Sequence, residues 1–425
     1  MRRSVGLDLG TTNSALAFAE GGKVSLAQFT ERAGLTSTFR SILYFQANEG
    51  ARRSAAFAGP AAIEQYLDDG GAGRLLQSLK SYLADRGFDA TSIFGRNYSL
   101  TDLLSFLVRA LRVDAEREGG AVRGPIVVGR PVHFAGADTA EDDAFAEGRL
   151  RKAIVAGGFD EVVFEYEPVA AAYYYETRLD HDELVLIADF GGGTSDFSLI
   201  RVGPRSRTLG AERILANDGV GIAGDAIDAK ILHHVVSPAL GLGSTYKSMF
   251  GKELQAPVWL YAKLRRWHHL SFLKSKRTTE LLREMLDQSH ERSKIEAFIH
   301  IVDDDLGYRL YRAVEQAKVA LSSADRATFL FEDAPVRIER EITRAEFESW
   351  IVDETGEMAT CVDGTLAQAG VAPRDVDRVF MTGGTSFVPA VRAIFESRFG
   401  AEKLVVGGEM ISVASGLALR AEDLG

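Results

Sequence analysis

The chain has 425 residues, 46% of them hydrophobic and 26% charged, with a formal net charge of -11. That length and apolar content support a sizeable core divided into two or three domains and exclude wholesale disorder. The acidic balance argues against sequence-independent nucleic-acid binding, which needs a basic face to displace counterions, and against docking on anionic lipid.

In chain order, Met1-Arg2-Arg3 runs straight into a strand-like segment rather than an apolar leader. Val5-Gly6-Leu7-Asp8-Leu9 alternates and breaks at Gly10-Thr11-Thr12-Asn13. Residues 14–19 resume as a second strand, so the segment reads as a hairpin. Third and fourth strands are expected over 23–29 and 41–46, then helices over 61–68, 74–84 and 103–118. Pro125-Ile126-Val127-Val128 reads as a buried strand, 141–156 as a helix and 161–165 as a strand, and Pro168 opens a further helix. Leu184-Val185-Leu186-Ile187-Ala188-Asp189 is then a strand, Gly191-Gly192-Gly193-Thr194 its turn and 195–202 its partner. Residues 237–300 read as a helical insertion. Beyond it come a helix over 306–322, strands over 327–332 and 335–340, and a capping box at Thr343 and Glu346 opening a helix towards Ala369. A strand at Val379-Phe380-Met381 leads into Gly383-Gly384-Thr385-Ser386, and a last helix spans 411–419.

No run approaches about 20 uninterrupted apolar residues, so no membrane span is expected. Cys361 is the single cysteine, which rules out an intramolecular disulfide or a cysteine zinc cluster within the sequence. It reads as a buried small hydrophobe on a helix. His268 and His269 are adjacent, so they cannot share a helix face as metal ligands would. The aromatic and basic residues around them, Trp259, Lys263, Arg265, Arg266, Trp267, Lys274, Lys276 and Arg277, read as a packed stripe beside a solvated face.

The aspartate-led turn occurs twice, starting at Asp8 and at Asp189. This pseudo-repeat suggests two related α/β lobes with mixed sheets facing a cleft. Backbone N–H groups in a tight glycine-threonine turn favour an anion, glycine lets the chain approach phosphate oxygens, and an aspartate at the strand end can hold the waters of a magnesium ion. One such turn is as well read as an ordinary hairpin; two, each led by Asp, read as a clamp on the β- and γ-phosphates of ATP. The glycine pair at Gly383-Gly384 fits a backbone passing close to adenosine or its α-phosphate, although alone it is a plain strand-to-helix turn.

Leu7-Asp8-Leu9-Gly10-Thr11-Thr12-Asn13-Ser14 resembles the first signature of the DnaK, or heat shock protein 70, chaperone family. Ala188-Asp189-Phe190-Gly191-Gly192-Gly193-Thr194-Ser195-Asp196 resembles the second, and Val379 through Pro389 the third. Glu167-Pro168-Val169-Ala170-Ala171-Ala172 is similar to the family's Glu-Pro-Thr-Ala-Ala-Ala stretch, and Ile342-Thr343-Arg344-Ala345-Glu346-Phe347-Glu348 also fits. The resemblance covers nearly the whole chain and is thin over 237–300.

The resemblance implies an actin-like ATPase fold. Lobe I would be 1–183, with an inserted subdomain over about 40–120 and a C-terminal helix, 409–425, returning to it. Lobe II would be 184–408, with an inserted helical subdomain over about 221–341. Asp8, Asp189 and Asp196 match acids around magnesium and the attacking water, with Asp8 and Asp189 holding the ion through waters. Glu167 matches a carboxylate that positions or deprotonates that water. Gly10, Thr11, Thr12, Asn13, Gly191, Gly192, Gly193 and Thr194 match the phosphate loops. Gly224, Glu315, Lys318, Ser322, Gly383, Gly384, Thr385, Ser386 and Phe387 complete the nucleotide set. Lys80 matches a lysine that touches the γ-phosphate and reads equally as a solvated surface lysine. Pro131 matches a proline that relays nucleotide state and reads also as a simple turn.

Two family arginines sandwich the adenine, and Val319 and Phe387 stand at the matching positions here. Phenylalanine can stack on a base; valine offers an apolar wall. The sequence ends soon after the last helix without the β-rich peptide-binding domain of a full chaperone, so a shorter, YegD-like member is expected. The expected function is a slow, magnesium-dependent ATPase acting as a cytoplasmic, chaperone-like switch. It would be a monomer, partnered by nucleotide and a co-chaperone. The competing readings are a sugar or acid kinase of the same superfamily, an actin-like filament protein, and a degenerate binder that holds nucleotide without turning it over.

Overall fold

The computed structural model describes residues 3–32, 34–46, 55–69, 73–119, 122, 125–248, 251–265, 273, 276–304, 306–407 and 411–424. Arg266, Trp267, His268, His269 and Lys274 lie outside the described residues. The chain divides into two compact units, one of 1–69, 73–224 and 355–425, the other of 70–72 and 225–354.

The first unit contains two sheets of the same construction. β1 (Ser4–Leu9) and β2 (Asn13–Glu20) form an antiparallel hairpin and β3 (Lys23–Leu26) pairs with β2. β4 (Ile126–Arg130) returns parallel to β1. A helix, α1 (Ala140–Ala156), then crosses over to β5 (Val162–Tyr166), parallel to β4, and α2 (Glu167–Glu176) follows. In the second sheet β6 (Glu183–Phe190) and β7 (Ser195–Val202) form the hairpin and β8 (Ile214–Val220) pairs with β7. β9 (Arg378–Thr382) lies parallel to β6, α3 (Pro389–Phe399) crosses over to β10 (Leu404–Val406), and α4 (Ser412–Leu424) follows. The strand orders β5-β4-β1-β2-β3 and β10-β9-β6-β7-β8 are therefore equivalent. The repeat visible in the two hairpins extends to seven elements on each side. The apolar runs at 126–128 and 184–188 are central strands covered on both faces, hence their near-continuous hydrophobicity.

The closing helices exchange places. α4, the last helix of the second repeat, lies on β1, β2 and β4; α2, the last of the first repeat, lies on β6 and β7. The two helices also pack directly on each other. Small residues permit this: a Cβ at Gly416 would overlap the Ala170 carbonyl, and one at Gly6 would overlap the backbone of α4 at Ala418. Val127, Val169, Tyr175, Ile187, Phe380 and Leu417 fill the layer around the crossing.

Several expected elements differ. The helix expected over 74–84 is a strand, Arg74–Gln77, followed by a 3-10 turn, Leu79–Tyr82. Leu75 and Leu76 complete a three-stranded sheet against Ile42–Gln46, and Ser78, in the left-handed region at φ 52, breaks any helix. The helix opened by Thr343 ends at Trp350 and restarts as Val352–Ala369; between them Ile351, at φ -104 and ψ 14, leaves helical geometry, and its side chain is buried. The capping box itself is present. The third strand stops at Leu26 rather than 29, and the last helix runs on to Leu424. Cys361 lies on a helix but is only half-buried; burial, then Asp218, pushes its thiol up.

The second unit holds the helices Val258–Arg265, Lys276–Gln288, Arg292–Asp303 and Gly307–Ser323 and the hairpin of Arg326–Asp333 with Val336–Thr343. Within the stretch expected to be helical it also carries a small hairpin, Thr245–Lys247 with Glu253–Gln255. Gly251, at φ 78, supplies the left-handed residue in its turn.

The helix crossing yields a direct test. Gly416→Ala should destabilise the protein by about 3 kcal/mol in urea unfolding, as overpacking of a close contact does. Gly148→Ala, on the open face of α1 with nothing within 4 Å, should be neutral or stabilise by up to about 1 kcal/mol. Equal effects of the two changes would show that the crossing is not under constraint.

Candidate functional site

Asp8 and Asp189 occupy equivalent places, each one residue before the end of the first strand of its hairpin. The cross-strand partner of Asp8 is Ala15, and that of Asp189 is Asp196, so the second hairpin carries an additional acid. The first turn is tight. A Cβ at Gly10 would overlap the Asn13 carbonyl, Ser41 donates its N–H to the Thr12 carbonyl at 2.9 Å, and its hydroxyl donates to the Gly10 carbonyl at 2.7 Å. In the second turn Gly191 donates to the Thr194 carbonyl at 2.9 Å. The turns meet: a Cβ at Gly193 would stand 3.6 Å from the Thr11 Oγ1 and 3.7 Å from the Ser81 Oγ.

Lys80 lies on the 3-10 turn that ends beside this meeting point. It is buried, and its Nζ is 2.6 Å from Oε1 of Glu167, also buried, at the first position of α2. Of the two readings of Lys80, the solvated one is therefore excluded. Glycines make room for the acids: a Cβ at Gly129 would come within 3.1 Å of the Glu167 Cγ, and one at Gly219 within 2.7 Å of the Asp196 Oδ1. The N–H of Val132, which follows Pro131, donates to Asp196 Oδ1 at 2.6 Å.

The buried Glu167, Asp189 and Asp196 and the half-buried Asp8 thus share one region with the charge of Lys80. Burial, then the charge of Glu167, pushes Asp8 up to about 7, against the pull of Lys80. Burial and Glu167 push Asp196 up to about 7 as well, despite hydrogen bonds from Thr194 and Val132. Asp189 is raised well above the usual carboxylate range by burial and by Glu167, Asp8 and Asp196. For Lys80, burial works downwards, but Glu167 and Asp8 outweigh it and the ammonium is held up. Removing like charges from water and crowding them is unfavourable unless a cation joins them.

The third glycine motif reaches the same place from β9. Gly383, at φ 85, packs so closely on Phe190 that a Cβ would overlap its carbonyl, and Ser386 donates its hydroxyl to the Gly383 carbonyl at 2.6 Å. Thr385 and Ser386 are buried, while Phe387, at 46% exposure, presents its ring to solvent. Gly224 donates to the Gly191 carbonyl at 3.4 Å.

Glu315, Lys318 and Ser322 lie in the second unit, on the helix Gly307–Ser323. There Lys318 is paired with Asp228 at 2.9 Å, Ser322 donates to the Lys318 carbonyl at 3.0 Å, and Val319 is 62% exposed. Ser41, Ser81, Gly129, Gly219 and the Val132 N–H were not anticipated from the sequence; an isolated glycine at the end of an apolar strand, as at Gly129, was the available signal. Among the described residues, no three His, Cys, Asp or Glu side chains converge to grip a bare metal ion, and no helix is long and apolar enough to cross a membrane.

Residues 280–424 match the family model described as Hsp70 protein. Along 423 residues, 99% of its length, the chain is 25% identical to a protein of Thermosipho melanesiensis named Chaperone protein DnaK; the match covers 59% of that relative, so the chain spans about three fifths of its length. The pairwise match extends over the stretches that hold Asp8, Lys80, Glu167, Asp189 and Asp196, which lie outside the family-model match.

The crowded acids predict a pH dependence of the unliganded protein. Asp8 and Asp196 are raised from 3.8 to about 7 in the fold, so the protonated form is favoured by folding. Their contribution is full below the unfolded value and is lost as pH rises through about 7. Asp196→Asn should therefore raise the melting temperature more at about pH 8 than at about pH 5. An effect of the same size at both pH values would show that the fold does not raise Asp196.

Proposed function

We propose that the chain, which is similar to Hsp70-family proteins, is a member of that family and a nucleotide switch that binds ATP and hydrolyses it slowly to ADP and phosphate. The observation that carries the proposal is the buried Lys80–Glu167 pair, 2.6 Å apart, among Asp8, Asp189 and Asp196 where the two glycine-threonine turns meet. Phosphoryl transfer to water needs charge neutralisation and an oriented nucleophile more than covalent help.

In this reading the turn N–H groups at 10–13 and 191–194 hold phosphate oxygens, and the hydroxyls of Thr11, Thr12 and Thr194 add donors. Lys80 turns its ammonium to the terminal phosphate. Hard carboxylate oxygens in excess of fixed positive charge suit a divalent cation, and magnesium, held through waters by Asp8 and Asp189, supplies positive charge to the phosphates when bound. Asp196, held by Val132 and raised to about 7, and Glu167 are the acceptors that orient the attacking water and take its proton. Glu167 already accepts from Lys80, so the two groups reach the phosphate site as a pair. Gly383, Gly384 and Phe387 are assigned to the adenosine side, with Phe387 offering its exposed ring to the base. Glu315, Lys318 and Ser322 keep, within the second unit, the nucleotide-binding role that the resemblance implies for them. A co-chaperone that reads the nucleotide state is the proposed protein partner.

The test is phosphate release from ATP with magnesium in wild type, Asp189→Asn and Lys80→Ala. Slow hydrolysis in the wild type and at least a tenfold loss in each variant, a barrier rise of about 1.4 kcal/mol, are expected. Lys80→Ala leaves Glu167 buried and unpaired, so folding of that variant is checked by circular dichroism. Phosphate appearing on an added sugar or acid rather than in solution would convert the reading to a kinase. Tight ATP binding without hydrolysis would make the chain a nucleotide sensor, and no binding at all would end the proposal.

A further inference from the structure

Lys80 is positioned by a segment with little regular structure of its own. Ser78 ahead of it is left-handed, Leu79–Tyr82 is one 3-10 turn, and residues 83–89 contain neither helix nor strand. Carbonyls leaving such a turn lack intrahelical partners, and a partly buried loop must satisfy them otherwise.

Four of these carbonyls converge on Arg149, a buried residue of α1. Its Nη1 donates to the carbonyls of Tyr82 and Leu83, both at 3.2 Å, and of Asp85 at 3.0 Å; its Nη2 donates to that of Phe88 at 2.6 Å. Asp89 approaches to 3.9 Å, but its carboxylate is 88% exposed, so the guanidinium engages backbone rather than a buried acid. The rings of Tyr82 and Phe88 close the loop at 4.5 Å between centroids, and Arg149 lies over the ring of Phe145 at 5.2 Å. A planar fork of N–H groups can span carbonyls from residue 82 to residue 88; one ammonium nitrogen cannot.

We infer that Arg149 is a positioning residue that acts through Lys80, fixing the loop behind it so that the ammonium stays on Glu167 and in the phosphate site. Arg149 touches none of the acids in that site. The catalytic consequence rests on the proposed ATPase activity; the structural one does not.

The experiment has two arms on the full chain, with Arg149→Met and, to keep a charge at the position, Arg149→Lys. In the first, acylation of each lysine is followed by mass spectrometry without nucleotide. Lys80 should be protected in wild type and label severalfold faster in both variants, while Lys318, buried against Asp228, keeps its wild-type rate. Unchanged labelling of Lys80, or a joint rise at Lys80 and Lys318 that reports general loosening, would overturn the inference. In the second arm, each variant should lower kcat by about tenfold or more with little change in KM, as a displaced catalytic group does. Added to Lys80→Ala, it should lower kcat no further. A full additional loss in the Lys80→Ala background would overturn action through Lys80. Absence of ATPase activity in the wild type would count against the proposed function, and the labelling arm would still decide the role of Arg149.

Discussion

The contact between α2 and α4 is the constraint on which the arrangement depends. Each helix ends one repeat and packs on the sheet of the other, and they cross with almost no side chain between them, Gly416 lying against the Ala170 backbone. A mid-helix glycine costs about 1 kcal/mol relative to alanine in an isolated helix, so its presence in α4 is explained by the close approach rather than by the helix. The crossing fixes the two sheets relative to each other. Because α2 begins at Glu167, it also sets that carboxylate at the place where the two hairpin turns meet.

The duplication supplies a symmetric cradle, and the chemistry lies where the symmetry breaks. Asp8 and Asp189 are equivalent, as are the two turns. Asp196 is not: Ala15 stands across from Asp8. Lys80 and Glu167 both come from the first repeat and the segment inserted into it. An apolar core would be the more stable filling for such a buried region, since four carboxylates beside one ammonium repel one another and lose hydration. Groups perturbed in this way by burial and by specific neighbours, at the end of two glycine turns, support the ligand site proposed above.

How much of this was legible in the sequence follows from what each feature depends on. The two hairpins, the helix opened at Pro168 and the capping box at Thr343 are local patterns, and they were readable. The stretch around Lys80 was not. Its leucines fit a helix period, and only pairing with a strand some 30 residues earlier turns them into a sheet edge. The burial of Lys80 follows from that tertiary choice, which is why a solvated lysine read equally well. Likewise Gly129 and Gly219 look like weak points in strands until the acids they accommodate are in place. The exchange of α2 and α4 leaves a trace only in the runs of small residues at 170–172 and 414–416, which by themselves say nothing about the partner.

Asp196 connects these levels. Its Oδ1 is held by the backbone of Val132, in a segment that Arg130 braces by donating to the carbonyls of Pro131 and Val132 and to Glu147. The acid belongs to the second sheet and its donor to the segment that follows β4 of the first. The two repeats are therefore tied twice, through apolar contact at the helix crossing and through a hydrogen bond to a carboxylate inside the site. The two ties respond differently. Helix packing is insensitive to charge, whereas the strength of the Val132 hydrogen bond follows the ionisation of Asp196, since a charged acceptor binds an N–H more strongly than a neutral one. Any cation that relieves the crowding of the four acids favours the ionised form of Asp196 and so tightens the second tie without altering the first. Under the proposed function, occupation of the site and cohesion of the two sheets would be coupled through this one carboxylate.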